Sequence, residues 1–133
     1  MPPDLGSIEM ARVWLLRAKS NLARAKQPKV AEVFWEDLCF DAQQAAEKAI
    51  KAVLVYHQID FPRTHQIAEL LVILRQAGHT APETIWEAHA LTNYAVVTRY
   101  PGASEPVTEE EYLRAVGIAD QVVRWAEGIV HGG

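Results

Sequence analysis

One long segment with two opposed faces constrains the fold of this chain more than any other feature of the sequence. In a helix, successive side chains turn by about 100°, which places small and apolar residues on one arc: Leu38, Ala42, Ala45, Ala46, Ala49 and Val53. The opposite arc carries a polar ridge: Asp37, Asp41, Gln44, Lys48 and Lys51. The first arc predicts a face packed in a core. Phe40 and Val55 lie beside the ridge, where a monomer would expose them, so this side predicts a surface that meets a partner or ligand.

Four further segments have the same helical spacing and are separated by proline, glycine and capping residues. The predicted helices cover residues 8–25, 33–57, 65–77, 80–97 and 108–130. Ser7 and Thr64 are the expected N-caps of the first and third helices, and Thr80 and Thr108 each begin a capping box. No segment has the alternating pattern of a strand. Short connections between amphipathic helices therefore predict an all-α, up-and-down antiparallel helical bundle of about five helices.

Composition limits the class of protein. We expect the 133 residues to form a single domain, residues 1–133 with a core at about 8–130, long enough to bury an apolar interior. The lone cysteine, Cys39, has no internal disulfide partner and is expected to be a buried thiol, which indicates a cytoplasmic protein. No membrane span is expected. The net charge of −4 argues against general nucleic-acid binding, although residues 1–29 hold six cations against two anions.

Three runs of sequence, taken in their order and separation, resemble the HEPN family of small helical domains. The runs are AQQAAEKAIKAVL at 42–54, FPRTHQIAELL at 61–71 and LTNYAVVTRYPG at 91–102. The resemblance spans roughly residues 8–130 and implies a helical bundle, in agreement with the periodicity. It also implies a homodimer formed through a face that includes the second helix.

The resemblance further implies where catalytic residues would lie. Many HEPN proteins are metal-independent ribonucleases that use an arginine followed, after four to six residues, by a histidine. Here Arg99 is followed by Tyr100, proline and glycine, and no histidine lies within reach. Arg124 and His131 have the required spacing but lie at the extreme C-terminus, so we interpret this match as chance. The missing motif favours a protein that is not a ribonuclease.

The remaining polar residues predict contacts with phosphate, base or a second subunit. Candidates for binding a nucleotide or phosphate are Lys48, Lys51, Arg99, Tyr100 and Gln44, and candidates for a dimer or partner interface are Phe40, Asp41 and Val55. A salt bridge between Glu47 and Lys51, four residues apart, would be a sufficient structural explanation for Lys51. Arg99 would be explained equally well by capping a helix or pairing with a carboxylate such as Asp41. No metal and no cofactor are expected.

Three functions remain open on these residues. HEPN proteins are often encoded beside a minimal nucleotidyltransferase, which implies a nucleotide- or RNA-associated component of a toxin–antitoxin-like pair. The second possibility is a degenerate metal-independent ribonuclease toxin in which Arg99 works with His65 or His89. The third is a non-catalytic dimeric adaptor, in which the polar ridge is buried between subunits and Arg99 is paired internally.

Overall fold

The computed structural model describes residues 3–95 and 106–132. Within these ranges the elements are α1 (Leu5–Ala25), α2 (Trp35–Tyr56), α3 (Ile67–Gln76), α4 (Glu83–Trp86), the 3-10 helix Glu87–Ala95 and α5 (Glu109–Gly132), with no strand. The long helices α1, α2 and α5 pack against one another, and α3 and the 3-10 helix pack against α2. The prediction of an all-α helical bundle is confirmed. No helix in the described ranges has the length and apolar character needed to cross a membrane.

Helix α2 lies at the centre of the bundle, because its neighbours cover it on several sides. All six residues of the predicted apolar arc are buried, as are three on other sides of the helix, Ile50, Ala52 and Leu54. Alanines along the arc allow neighbouring helices to approach closely, since they add little volume between the helix axes. Within the predicted polar ridge, Asp41 and Lys51 are buried and Gln44 and Lys48 are half-buried, so the ridge is not a broad exposed face.

Where a helix begins depends on which side chain accepts a hydrogen bond from its first free amides. The carboxylate of Asp4 accepts a hydrogen bond from the amide of Ser7 at 2.7 Å, so α1 begins at Leu5 and Ser7 lies inside the helix instead of capping it. Thr64 likewise caps a turn, accepting from the amide of Gln66, and α3 begins two residues later than predicted. The predicted stop is correct: Gly78 has a φ of 94°, which glycine adopts without steric cost.

The predicted capping box at α5 is confirmed. The hydroxyl of Thr108 accepts from the amide of Glu111 at 3.1 Å, and the carboxylate of Glu111 accepts from the amide of Thr108 at 3.3 Å. Each side chain thus satisfies an amide that has no partner within the helix. The helix continues to Gly132, two residues beyond the predicted end.

The fourth predicted helix differs most from expectation. Its first turn is capped at Pro82 without a side-chain hydrogen bond, so the capping box expected from Thr80 is wrong. After one turn of α-helix the backbone tightens into the 3-10 helix. Ile85, Ala88 and Leu91 are buried at intervals of three residues, which matches the three residues per turn of a 3-10 helix, and Ala95, four residues further on, is buried as well. The predicted continuation to residue 97 falls beyond residue 95, outside the described residues.

The cysteine is buried in this core, as predicted. Burial raises the pKa of the Cys39 thiol to about 12, and the nearby carboxylates of Glu111 and Glu36 act in the same direction. The thiol is therefore protonated at neutral pH and is not a nucleophile.

Candidate functional site

The polar residues of α2 are divided between two hydrogen-bonded clusters, one against α1 and one against the loop that precedes α3. The first cluster joins α2 to α1 through a buried carboxylate. Asn21 donates to Asp41 at 3.2 Å, and Lys48 donates to the side-chain oxygen of Asn21 at 2.8 Å. Arg24 adds an ion pair to Asp41 at 3.4 Å. Asp41, predicted as an interface residue, is thus buried and paired with an arginine of a neighbouring helix of the same chain.

Lys48 lies at the base of a groove between α1 and α2. The groove has a volume of about 350 Å³ and is lined by Met10, Val13, Trp14, Arg17 and Lys48. Burial lowers the pKa of the Lys48 ammonium, and the charges of Arg17 and Arg24 lower it further, against the opposing effect of nearby carboxylates. The groove therefore combines two cationic side chains with an apolar and aromatic wall.

The second cluster is centred on Glu47, which is buried. One carboxylate oxygen accepts from Gln43 at 3.0 Å and bonds His65 Nδ1 at 2.9 Å, and the other accepts from Lys51 at 2.9 Å. Burial raises the pKa of Glu47, but the hydrogen bonds from Gln43, Lys51 and His65 outweigh it and leave that pKa below its ordinary value. Glu47 is therefore ionised at neutral pH.

The predicted salt bridge between Glu47 and Lys51 is confirmed, and it fixes the environment of Lys51. The Lys51 ammonium is buried and lies 5.7 Å from the centres of both the Trp14 and the Phe61 rings, which meet edge to face. A cation between two ring faces gains cation–π stabilisation as well as its ion pair. These contacts hold the Lys51 ammonium beneath the surface of the protein.

His65 is held in a defined tautomer by the same carboxylate. Because Glu47 is ionised, it accepts the hydrogen bond, and the Nδ1 of His65 donates it. In the neutral form of the ring the lone pair is on Nε2, and 64% of the side chain is exposed. The pair has the arrangement of a histidine oriented by a carboxylate, which suits proton transfer at the surface.

The other predicted site residues have mixed positions. Gln44 is half-buried and donates to the side-chain oxygen of Gln43 at 2.7 Å, which places it between the two clusters. Phe40 and Val55 are half-buried rather than exposed, because the bundle already covers part of each side chain. Arg99 and Tyr100 lie outside the described residues. The predicted pairing of Arg99 with Asp41 and the predicted approach of Arg99 to His65 therefore stay predictions.

Two further polar positions have simple local explanations. Asp37 accepts from the amide of Phe34 at the start of α2. His89, on the 3-10 helix, is exposed. Among the residues that the structure describes, no three histidine, cysteine or acidic side chains are grouped as ligands for a metal.

Several residues of the groove are on α1 and were not predicted as site residues. Met10, Trp14 and Arg17 of the groove, and Asn21, which bonds Lys48, are separated by steps of four, three and four, so the sequence does place them on one face of the first helix. What the spacing does not show is that this face meets Lys48 and Lys51. In the sequence, the signal for this site is that the first helix has a mixed apolar and basic face beside its fully apolar face.

This geometry defines the class of protein as an all-α helical bundle whose central helix carries two polar clusters. The HEPN domain family model matches residues 11–129, and the chain belongs to the HEPN family. A search of curated proteins gives no match. Among solved structures, the crystal structure of an archaeal HEPN homologue is similar at 28% sequence identity, covering 90% of this chain and 97% of the other, with a TM-score of 0.72.

Proposed function

We propose that this HEPN protein binds a nucleotide or RNA through its phosphate in the α1–α2 groove. It would act as a homodimer beside a minimal nucleotidyltransferase, in a toxin–antitoxin-like pair. The observation that carries the proposal is the groove itself, in which Arg17 and Lys48 stand beside Met10, Val13 and Trp14. In this proposal the groove would be the site of the expected RNA-associated role.

The chemistry of the groove fits a ligand that is anionic at one end and flat and apolar at the other. Arginine forms paired hydrogen bonds to phosphate oxygens, and lysine adds a point charge. Apolar and aromatic side chains accept a base with little regard to its identity. The groove also lies in the basic N-terminal part of an otherwise acidic chain, so local charge favours a phosphate despite the net charge of −4.

The other candidate residues would have supporting roles in this proposal. Gln44 would help to shape the surface between the two clusters, and Arg99 and Tyr100 would add a cation and a ring from the segment after the 3-10 helix. Phe40 and Val55 would contact the second subunit. Lys51, whose ammonium is held by Glu47, has a structural role instead of a phosphate-binding one.

Binding is tested by titrating ATP and a short single-stranded RNA into the purified protein at low and moderate salt. We expect Lys48→Gln and Arg17→Gln each to weaken binding by about tenfold, the loss of one charge-assisted contact. Lys29→Gln removes the same charge from another part of the surface and is the matched control. Equal binding by Lys48→Gln and Lys29→Gln would place the ligand elsewhere. Co-purification with a nucleotidyltransferase encoded beside the gene tests the partner.

One observation favours a second function, the degenerate metal-independent ribonuclease. His65 is oriented by Glu47 and is largely exposed, and in its neutral form Nε2 would be free to act as the general base for a 2′-hydroxyl. The test is RNA cleavage in EDTA by the wild type, His65→Ala and Arg99→Ala, with His131→Ala as control. Cleavage lost only in the first two variants would establish the ribonuclease. A wild type that neither cleaves nor binds RNA or nucleotide would point to the dimeric adaptor.

A further inference from the structure

In the part of the chain that the structure describes, Lys48 and Lys29 are the two lysines without a salt bridge, and of these two only the Lys48 amine bonds a polar side chain. Three of the five lysines form ion pairs with carboxylates: Lys19 with Glu127, Lys26 with Asp120 and Lys51 with Glu47. The ammonium of Lys29 lies 5.4 Å from the ring of Trp35. Within residues 3–95 and 106–132, Lys48 takes part in no salt bridge, and its amine donates to the neutral side-chain oxygen of Asn21. No paired carboxylate therefore holds Lys48 in its charged form.

The surroundings of Lys48 also lower the pKa of its ammonium, so more of the neutral amine is present than in an ordinary lysine. Burial lowers its pKa, and the two arginines of α1 that face it, Arg17 and Arg24, act in the same direction. Glu47 and Asp41 oppose them, but the carboxylate of Glu47 is bound to Lys51 and that of Asp41 to Asn21 and Arg24. Only the unprotonated amine carries the lone pair that a nucleophile needs.

The groove can hold an electrophile against this amine. Arg17 lines the groove together with Lys48 and is able to bind a phosphate group, while Met10, Val13 and Trp14 offer an apolar surface to an acyl chain. A molecule with an acyl group joined to phosphate matches both parts of the groove. Because Arg17 and Lys48 line the same groove, one such molecule can contact both side chains.

We propose that Lys48 is a site of N-acylation by acyl phosphates. The lone pair of Nζ attacks the carbonyl carbon, a C–N bond forms, and the bond from that carbon to the phosphate oxygen breaks. Phosphate leaves with the electron pair, and the amine releases its proton to water, so no atom is oxidised or reduced. The product is a neutral amide in the groove. Acylation would therefore remove one of the cations that bind phosphate, a regulatory consequence that rests on the proposed function.

The test is to incubate the full chain with acetyl phosphate and to follow acetylation of each lysine by peptide mass spectrometry. We expect Lys48 to react on the order of fivefold faster than Lys29 at neutral pH, because a lowered pKa leaves more free amine. A second reagent, the neutral ester p-nitrophenyl acetate, separates amine reactivity from phosphate binding. Arg17→Gln should slow the reaction of Lys48 with acetyl phosphate by severalfold more than its reaction with the ester.

Two results would overturn the proposal: equal rates at Lys48 and Lys29, or an effect of Arg17→Gln that is the same with both reagents. The regulatory consequence is read separately, from nucleotide binding by acetylated and untreated protein. If untreated protein binds no nucleotide, the proposed function fails, while the mapping of acetylation still decides whether Lys48 is the acylation site.

Discussion

Glu47 organises the polar side of α2 at the scale of a single residue. Its two carboxylate oxygens bond three donors, from α2 itself and from the loop before α3. A buried carboxylate is stable only when it is paired and hydrogen-bonded, and a buried ammonium has the same requirement. Glu47 and Lys51 therefore depend on each other, and the loss of one leaves the other as an unpaired charge.

Glu47→Gln should lower the free energy of unfolding by about 3 kcal/mol, because breaking a buried ion pair from one side leaves the Lys51 ammonium buried without a counter-charge. The measurement is urea denaturation at neutral pH. Glu127→Gln is the matched control, since it breaks the pair with Lys19, in which each side chain is more than 40% exposed, and exposed pairs contribute about 0–1 kcal/mol. Equal losses in the two variants would contradict the structural role assigned to Glu47.

The same carboxylate makes stability depend on pH. The pKa of Glu47 in the folded protein lies below its ordinary value of 4.5, so the unfolded chain binds a proton more readily than the folded one. The stabilisation is complete above pH 4.5 and is lost as the pH falls through the lower folded value. The difference in unfolding free energy between wild type and Glu47→Gln should shrink as urea titrations are carried below that pH. A constant difference would show that Glu47 is not ionised in the fold.

At the scale of the element, capping and period decide where each helix begins and what form it takes. Thr108 and Glu111 form a reciprocal cap at α5, whereas Thr80 and Glu83 have the same spacing and do not. The difference is proline: Pro82 occupies the N-cap of α4, so the chain enters that helix two residues after Thr80. Capping-box spacing is therefore informative only where the backbone begins the helix at the first residue of the box.

This contrast gives a matched pair of variants. Thr108→Ala should lower the free energy of unfolding by about 1 kcal/mol, the usual cost of losing a side-chain N-cap. Thr80→Ala should change it by less than about 0.5 kcal/mol, because Thr80 is exposed and does not cap α4. Urea denaturation of both variants measures the two changes in the free energy of unfolding. A larger decrease in Thr80→Ala than in Thr108→Ala would mean that the cap of α4 has been assigned to the wrong residue.

At the scale of the whole molecule, the central position of α2 leaves one side on which the bundle is incompletely covered. Val55 is half-buried, and on α1 Met10 and Val13 are each about half exposed, 51% and 48%. Apolar residues beside buried polar clusters are typical of surfaces that bind another macromolecule. This is the side through which the proposed homodimer would form.

Val55→Glu should shift the protein from dimer to monomer, since it places a charge in the proposed interface. Light scattering during size-exclusion chromatography measures the mass directly, and circular dichroism establishes that the variant remains helical. Leu113→Glu changes an exposed leucine of α5 and is the control. A helical Val55→Glu protein that remains dimeric would exclude this side of α2 as the interface.

The sequence by itself determined the features that depend on neighbours along the chain. The helical segments, the buried arc of α2, the cap of α5 and the bond between Glu47 and Lys51 all follow from spacings of three or four residues. The tightening into the 3-10 helix did not follow, because residues Glu87–Ala95 have a composition compatible with either form and packing decides between them.

Only the tertiary structure decided which polar residues meet. Asn21 and Asp41 are 20 positions apart and Lys48 is 27 from Asn21, so no periodicity within one helix could join them. Helical spacing shows which face a side chain is on, but not which helix covers that face or how deeply. This is why two lysines of one predicted ridge have different surroundings: Lys51 is enclosed by Trp14, Phe61 and Glu47, and Lys48 lines an open groove.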